Sequence, residues 1–475
     1  MFLRPALQLP GRPRLVADAP ATSRRGFLAA CACACALPAV LSSGAKAQMP
    51  PPSSIAPAPA RPLHAALDES ARAIEGRMIA WRRDIHQNPE LGNQEVRTSA
   101  MVAAHLRTLG YTVRDKVAVT GLVATLKGEG GPGPTLALRA DMDALPVPEE
   151  VDLPFASRAK TMWGGQEVGV MHACGHDCHT AILMATAEVL ARHRADLRGT
   201  VVLVFQPAEE NLPDGEIGGA RRMLDEGAFN DPKPDAVFGL HVVSGLTAGT
   251  LGYRPGPAAA SADEFTITVH GRQTHGARPW GGVDPIVIGA QIISALQTIQ
   301  SRQVDSGASP SVLTVGQFHG GNRSNIIPDR ATMNGTLRTY DEERRQFIMR
   351  RVKEVSESIA QGMDGRAEVS WLPNGYPSMA NDPALTQRMA PSLARVAGEG
   401  ALRMMPPGLA AEDFAYFSRT VPGVFFNVGV TAPGLDPRQV PTNHSPRFRV
   451  DESGLLPGLR AMLHMVADYT GSGVA

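Results

Sequence analysis

A chain of 475 residues is too long for one ordinary domain and suits two. Its 46 basic and 46 acidic side chains cancel, so no overall field recruits nucleic acid or an anionic membrane surface, and specificity must reside in a local site. Hydrophobic residues make up 43% of the chain, enough for sizeable cores.

At the N-terminus, Arg24-Arg25-Gly26-Phe27-Leu28 leads into an apolar run over 28–41, and Ala45-Lys46-Ala47 supplies a small-x-small cleavage site. That order predicts a twin-arginine-type signal peptide over 1–47 and a periplasmic or secreted mature protein. The apolar run falls short of the ~20 residues a membrane span needs, so no membrane association is expected of the mature form. A transmembrane anchor is the minority reading, and Cys31 sits too early in the apolar run for a lipoprotein signal. Cys31, Cys33 and Cys35 leave with the signal, and the remaining Cys174 and Cys178 are no disulfide framework. An unpaired thiol is a liability in an oxidising compartment, which makes Cys174 a candidate ligand. Residues 48–65, opening rich in Pro, Ala and Ser, read as a disordered linker.

The globular pattern follows. Helices are predicted over 66–84 and 96–109, the second stopped by Gly110. Near-continuous apolar runs at 121–126, 135–139, 200–205 and 235–241 predict central strands covered on both faces, with a helix over 180–192 between them. This alternation predicts a layered α/β domain. Ligands bind beyond the carboxyl ends of such strands, where Asp141, Asp143, Glu209, Glu210 and His241 fall. A second unit reads as strand 264–270, helix 285–301 opened by Asp284-Pro285, strands 311–318 and 331–339, helix 341–361 and strand 367–372. That β-α-β-β-α-β order is ferredoxin-like. Another buried strand, 423–430, returns to the first pattern. Residues 258–373 are therefore expected as a domain inserted between 66–257 and 374–475.

The densest chemical signal is Met171-His172-Ala173-Cys174-Gly175-His176-Asp177-Cys178-His179. In extended backbone a Cys-x-His pair puts both side chains on one side, and thiolate and imidazole both bind zinc-class metals. A polar loop with incidental histidines is the competing reading, and five such residues within nine positions speak against it. Glu209-Glu210 alone reads as a solvated turn. Beside a metal cluster, one carboxylate holds the metal and the other takes a proton from the attacking water and returns it to the leaving amine. His241 and His444, each taken alone, read as structural.

Together these motifs resemble the co-catalytic metallopeptidase family of carboxypeptidase G and aminoacylase type. The subgroup they are most similar to contains auxin-conjugate and hippurate hydrolases. The matching pieces run in the family's order. They are Arg83-Asp84-Ile85-His86-Gln87-Asn88-Pro89-Glu90-Leu91, Arg139-Ala140-Asp141-Met142-Asp143-Ala144-Leu145, the His172–Asp177 motif, Gln206-Pro207-Ala208-Glu209-Glu210 and Gly239-Leu240-His241. There follow His275 with Pro279, Ser324-Asn325-Ile326-Ile327-Pro328, Glu412-Asp413-Phe414 and His444-Ser445-Pro446. The resemblance implies a metallopeptidase α/β domain with a mixed central sheet and an inserted ferredoxin-like lid and dimerisation domain. It implies two divalent metal ions per subunit (manganese, zinc or cobalt) held by Cys174, His176, Glu210, His241 and His444. Glu209 is the implied general base and acid. Asp143 falls where the wider family has an aspartate that orients a ligand or the base, with a structural salt-bridged carboxylate as the alternative; Asp141 is left without a role. His275 and Asn325 are the implied substrate contacts, the histidine often reaching the partner subunit's site, and Arg338 is a candidate for a substrate carboxylate, with an ordinary surface arginine as the alternative. Asn211 stands where the subgroup commonly has glycine. The implied activity is amide hydrolysis on N-acyl amino acids or similar small conjugates by a homodimer. The alternatives are a dipeptidase or aminopeptidase on the same scaffold and an inactive metal- or ligand-binding protein.

Overall fold

In the computed structural model, which describes residues 55–210, 212, 216, 218–373 and 375–471, the first helix starts earlier than the sequence pattern predicts. Helix α1 (Pro62–Gln87) opens with proline at its first turn, where the missing N–H is no loss. It buries Leu67, Ala71, Ile74, Met78 and Ile85, a stripe at helical spacing. Residues 62–65, expected as linker, are its first turn. Just upstream, Ala58 N–H donates to the Pro391 carbonyl at 3.2 Å, and Arg61 donates to Asp468 at 2.9 Å. Tertiary contacts thus order the end of a segment whose composition alone reads as disordered. The signal over 1–47, the start of the linker and Asn211 lie outside the described residues.

Next come α2 (Val96–Thr108), the antiparallel pair β1 (Thr112–Val117) and β2 (Gly121–Lys127), β3 (Thr135–Asp141), and the small hairpin β4 (Lys160–Trp163) and β5 (Gln166–Gly169). They are followed by α3 (His176–Arg192), β6 (Thr200–Gln206), α4 (Gly219–Asp225), β7 (Ala236–Thr247), β8 (Leu251–Tyr253) and β9 (Gly256–Ala259). The small unit then intervenes as β10 (Asp263–His270), β11 (Thr274–His275), α5 (Pro285–Thr298), β12 (Ser311–Gly320), β13 (Ile326–Ile327), β14 (Arg330–Thr339), α6 (Glu342–Gly362) and β15 (Arg366–Trp371). The chain closes with β16 (Met379–Asn381), α7 (Pro383–Ala397), β17 (Leu402–Met404), α8 (Phe414–Thr420), β18 (Gly423–Thr431) and α9 (Leu455–Gly471).

The large sheet has the order β1-β2-β6-β3-β7-β18-β8-β17. Its centre, β6-β3-β7-β18, is parallel, while β2 and β8 join antiparallel, so the sheet is mixed. The apolar runs are explained by covering on both faces. Leu136, Leu138, Val201 and Leu203 pack with α1, α3, α7 and α9, whereas Ala137, Val202 and Val204 pack with α4 and α8. Asp141 and Gln206 are the last residues of β3 and β6, so polar side chains collect at the carboxyl ends of the parallel strands.

The second sheet is antiparallel, ordered β12-β14-β10-β15, with α5 and α6 on one face. Its βαββαβ order is the ferredoxin-like one. Asp284 caps α5 by accepting from the N–H groups of Ile286 and Val287 at 2.9 and 3.2 Å, as Asp-Pro predicts. A two-stranded ribbon absent from the sequence reading, β11 with β13, projects from the loops of this unit. Among the described residues no helix is long and apolar enough to cross a membrane.

Candidate metal centre

The Cys-Gly-His core of the dense motif is a turn into a helix, which corrects the extended-backbone reading. Gly175 has φ 94° and His176 begins α3. A β-carbon on Gly175 would lie 2.3 Å from Val242 Cγ2, so only glycine lets the chain turn here against β7. His241 is likewise inside its strand rather than at its end, because β7 continues to Thr247. His444, at φ 70°, is placed by its own N–H, which donates to the Ala173 carbonyl at 2.8 Å. Asn443 Nδ2 bonds the carbonyls of Cys174 and Val242 at 2.9 and 3.0 Å, tying all three segments together.

Cys174, His176, Glu210, His241 and His444 converge. Ligand atoms of Cys174, His176 and His241 lie within 4.8 Å of one another, and so do those of Cys174, Glu210 and His444. Cys174 is common to both groups. Its Sγ lies 3.3 Å from His241 Nε2 and 3.2 Å from His444 Nε2. His444 Nε2 is 2.9 Å from Glu210 Oε1. The ring orientations suit cations. His241 Nδ1 lies 2.8 Å from its acceptor, the Val242 carbonyl, which leaves the Nε2 lone pair facing Cys174. His176 Nδ1 engages Asp143 at 3.1 Å, and its Nε2 is buried with no hydrogen-bond partner. An orphaned buried nitrogen beside a thiol and a carboxylate is what a ligand cage lacking its cation looks like.

The charges agree. Burial opposes a proton on His176, yet Asp141 and Asp143 outweigh burial and push it up to about 10. Burial, with Glu210 and Glu209 nearby, drives the Cys174 thiol well above its ordinary value. A site that holds its protons this tightly has excess negative charge, which divalent cations would relieve while displacing those protons. Burial and His179 hold His241 well below the ordinary histidine value, so its ring is neutral and ready to ligate.

Glu209 stands beside this cage. Its Oε1 accepts from the Asp413 N–H at 3.2 Å, and one of its oxygens, one of Glu210's and a nitrogen of His176 lie within 4.8 Å of one another. Burial, then Glu412, Glu210 and Asp413, raise its proton affinity well above that of an ordinary carboxylate. Asp143 bridges the two parts by holding His176 Nδ1 through one oxygen and the Glu210 N–H through the other, at 2.9 Å.

Residues 137–468 match the model of peptidase family M20/M25/M40. The chain belongs to that family. It is 39% identical over 396 residues to thermostable carboxypeptidase 1 of Saccharolobus solfataricus, covering 83% of this chain and 96% of that one. It is 38% identical over 385 residues to an N-acetylcysteine deacetylase of Bacillus subtilis, covering 81% and 94%. The solved structure of the Bacillus subtilis YXEP protein, a dinuclear metal binding peptidase from the M20 family, superposes with a TM-score of 0.70 at 34% identity, covering 84% of this chain and 99% of that one.

The other expected M20 contacts stand elsewhere in the subunit. His275 pairs with Ile326 across the β11–β13 ribbon, and the Gly276 N–H donates to the Asn325 carbonyl at 2.8 Å, so His275 and Asn325 are neighbours. Both are exposed, and neither bonds to the cage. They border a cavity of about 520 Å³ lined by Gly276, Arg323, Ser324 and Ile326 among others. Arg338 lies on β14 opposite Val312, half-buried, and has no bond to the cage either.

Sequence reasoning gave no role to the buried network behind Glu209. Arg139, fully buried, donates to Gln206 at 2.8 Å, Asp141 at 2.8 Å, Glu412 at 2.9 Å and Asp413 at 3.1 Å. Asp141 in turn holds His179 Nδ1 at 2.6 Å, and His179 Nε2 accepts from the Val242 N–H at 2.9 Å. Both nitrogens of His179 are thereby used, which removes it from the ligand set. His172 is different again: both ring nitrogens are buried without a partner, and burial pushes it down to about 3.

Proposed function

We propose that this chain is a metal-dependent amidohydrolase that cleaves the amide bond of N-acyl amino acids or similar small conjugates. The observation that carries the reading is the pair of overlapping ligand groups sharing Cys174, with the Glu209 carboxylate beside them and tied to Asp413. Two divalent cations, manganese, zinc or cobalt, suit this mixed S/N/O donor set, and bound there they would supply Lewis acidity that lowers the pKa of water from 15.7 towards about 7. Cys174, His176, Glu210, His241 and His444 would hold them. Asp143 orients His176 and the Glu210 backbone. Glu209 takes the proton of the attacking water and delivers it to the leaving amine, and its raised proton affinity suits a group that keeps the proton between the two steps. His275, exposed on its ribbon, stabilises the developing oxyanion in the site of a partner subunit, and Asn325 beside it contacts the same substrate. Arg338 pairs with a substrate carboxylate. The inserted unit, 258–373, is read as lid and dimerisation domain, and 66–257 with 374–475 as the catalytic domain. Twin-arginine-type export would deliver the protein folded to the periplasm or beyond.

The carboxypeptidase relative supports a second reading, peptide-bond cleavage on the same scaffold. Turnover of N-acetyl and N-benzoyl amino acids set against dipeptides, with manganese, cobalt or zinc added, separates the two. Glu209→Gln is expected to lower kcat by at least about 100-fold with the metal content unchanged. Near-native turnover in that variant, or activity indifferent to a strong chelator, overturns the proposal.

A further inference from the structure

Glu209 sits in a turn that does not hold itself. Ala208 has φ 51°, a left-handed conformation that L-residues other than Asn and Asp rarely adopt. Hydrogen bonds from separate parts of the chain restrain this turn. The Ala208 N–H donates to Glu95 Oε1 at 2.8 Å, the Glu210 N–H donates to Asp143 at 2.9 Å, and the Glu209 carboxylate accepts from the Asp413 N–H at 3.2 Å. One more bond fixes the peptide that follows Glu209: the Tyr376 hydroxyl donates to the Glu209 carbonyl.

Tyr376 differs from the other partners in where it comes from. It lies on the segment that leaves β15 of the small sheet and leads to β16, which pairs with β9. That segment is paired with the outgoing crossover, because the Ala262 N–H donates to the Tyr376 carbonyl at 3.0 Å and the Tyr376 N–H to the Ala262 carbonyl at 2.8 Å. Its neighbour Gly375 is fixed from two sides. A β-carbon there would meet Asp263 Oδ1 at 2.5 Å, and the Gly375 carbonyl accepts from the Tyr416 hydroxyl at 2.9 Å. The phenol is thus presented to the Glu209 peptide by the paired crossover strands.

We infer that Tyr376 is a positioning residue for Glu209, and that through it the crossover to the small sheet sets where the proton-carrying carboxylate stands. The inference rests on the reading of Glu209 as that proton carrier. Tyr376→Phe removes one oxygen and keeps the ring. It should lower kcat about tenfold or more, the range found when a partner that orients a site residue is lost. KM, metal content and the denaturation midpoint should stay near their native values. Tyr416→Phe removes a hydrogen bond to Gly375, one residue before Tyr376, without touching the Glu209 turn, and should lower kcat clearly less than Tyr376→Phe does. In a Glu209→Gln background, Tyr376→Phe should change the residual rate little, since two residues acting as one unit are not additive. Native kcat in Tyr376→Phe overturns the inference. So does a kcat loss that follows loss of metal, or equal losses in the two tyrosine variants. If Glu209→Gln itself keeps native turnover, the proton-carrier reading fails first and takes this inference with it. If Glu209→Gln is inactive and Tyr376→Phe is native, only the inference fails.

Discussion

Gly175 shapes the metal cage while contributing no ligand. It turns the chain at φ 94° between Cys174 and His176, and it leaves 2.3 Å where a β-carbon would meet Val242 Cγ2. Gly175→Ala therefore carries about 1–2 kcal/mol of backbone strain and a further ~1–3 kcal/mol of overpacking. The expected result is a folded protein with a lower denaturation midpoint and fewer metal ions per subunit. Adding Val242→Ala makes room but leaves φ unchanged, so stability and metal content should recover only in part. Full metal content in Gly175→Ala would show that the glycine does not set the cage. The residue types that converge here were legible in the sequence, because thiol, imidazole and carboxylate recur in a recognisable order. The backbone that brings them together was not, since Cys-x-His reads equally as strand or as helix start. Arg139 was illegible for another reason. Its partners lie 67 to 274 residues away, apart from Asp141, and a lone arginine at the end of an apolar strand gives no sign of a network.

Three helices meet in a polar clamp that also escaped the sequence pattern. His464 of α9 is buried between α1 and α7: its Nε2 lies 3.0 Å from Asp68, and Arg395 donates to its Nδ1 at 3.3 Å. That arrangement satisfies the neutral ring. Burial lowers its pKa to about 4, Asp68 opposing and His64 and Arg395 assisting. The folded value lies below the unfolded ~6.5, so between them the unfolded chain binds the extra proton. Stability from this group is full above pH ~6.5 and is lost as the pH falls through about 4. Denaturation midpoints should decline across that window, and His464→Gln should flatten the decline by on the order of 2 kcal/mol. Parallel curves for the two proteins would place the acid sensitivity elsewhere. Neighbouring Asp468 works in the same direction, because bonds from His64, Ser392 and Arg395 overcome burial and hold its carboxyl below the usual range. This clamp also explains why α1 reaches back to Pro62. Hydrophobic periodicity marks the middle of a helix, whereas partners some 400 residues away, Ala467 and Asp468 on Arg61, decide where it starts.

At the scale of the molecule, the small sheet leaves one long strand with a free side. β12, ten residues long, is the edge of its sheet, and edge N–H and C=O groups left unpaired invite a second strand. Phe318 on this strand and the first turn of α5 beside it expose apolar surface: Phe318 is 37% exposed, Ile286 36% and Val287 46%. These belong together, since Phe318 lies against Gly289 and Ile286 against Gly320. An exposed edge flanked by apolar side chains is the surface through which we expect two copies to pair, each supplying the same strand and helix. The ferredoxin-like order of this unit was legible from its alternating strands and its Asp-Pro cap, whereas the β11–β13 ribbon was not, because two-residue strands carry no period. Yet that ribbon carries His275, with Asn325 just before its second strand, and neither bonds to the cage within one subunit. On the proposal that His275 acts in a partner subunit's site, loss of the dimer and loss of catalysis go together. On the proposed dimer, Val287→Asp combined with Phe318→Asp is expected to give a monomer by sedimentation that keeps its metal ions but loses kcat by at least about 100-fold, the cost of removing one oxyanion donor. A monomeric variant with undiminished turnover would show that a single subunit holds a complete site, and that His275 serves its own chain or none.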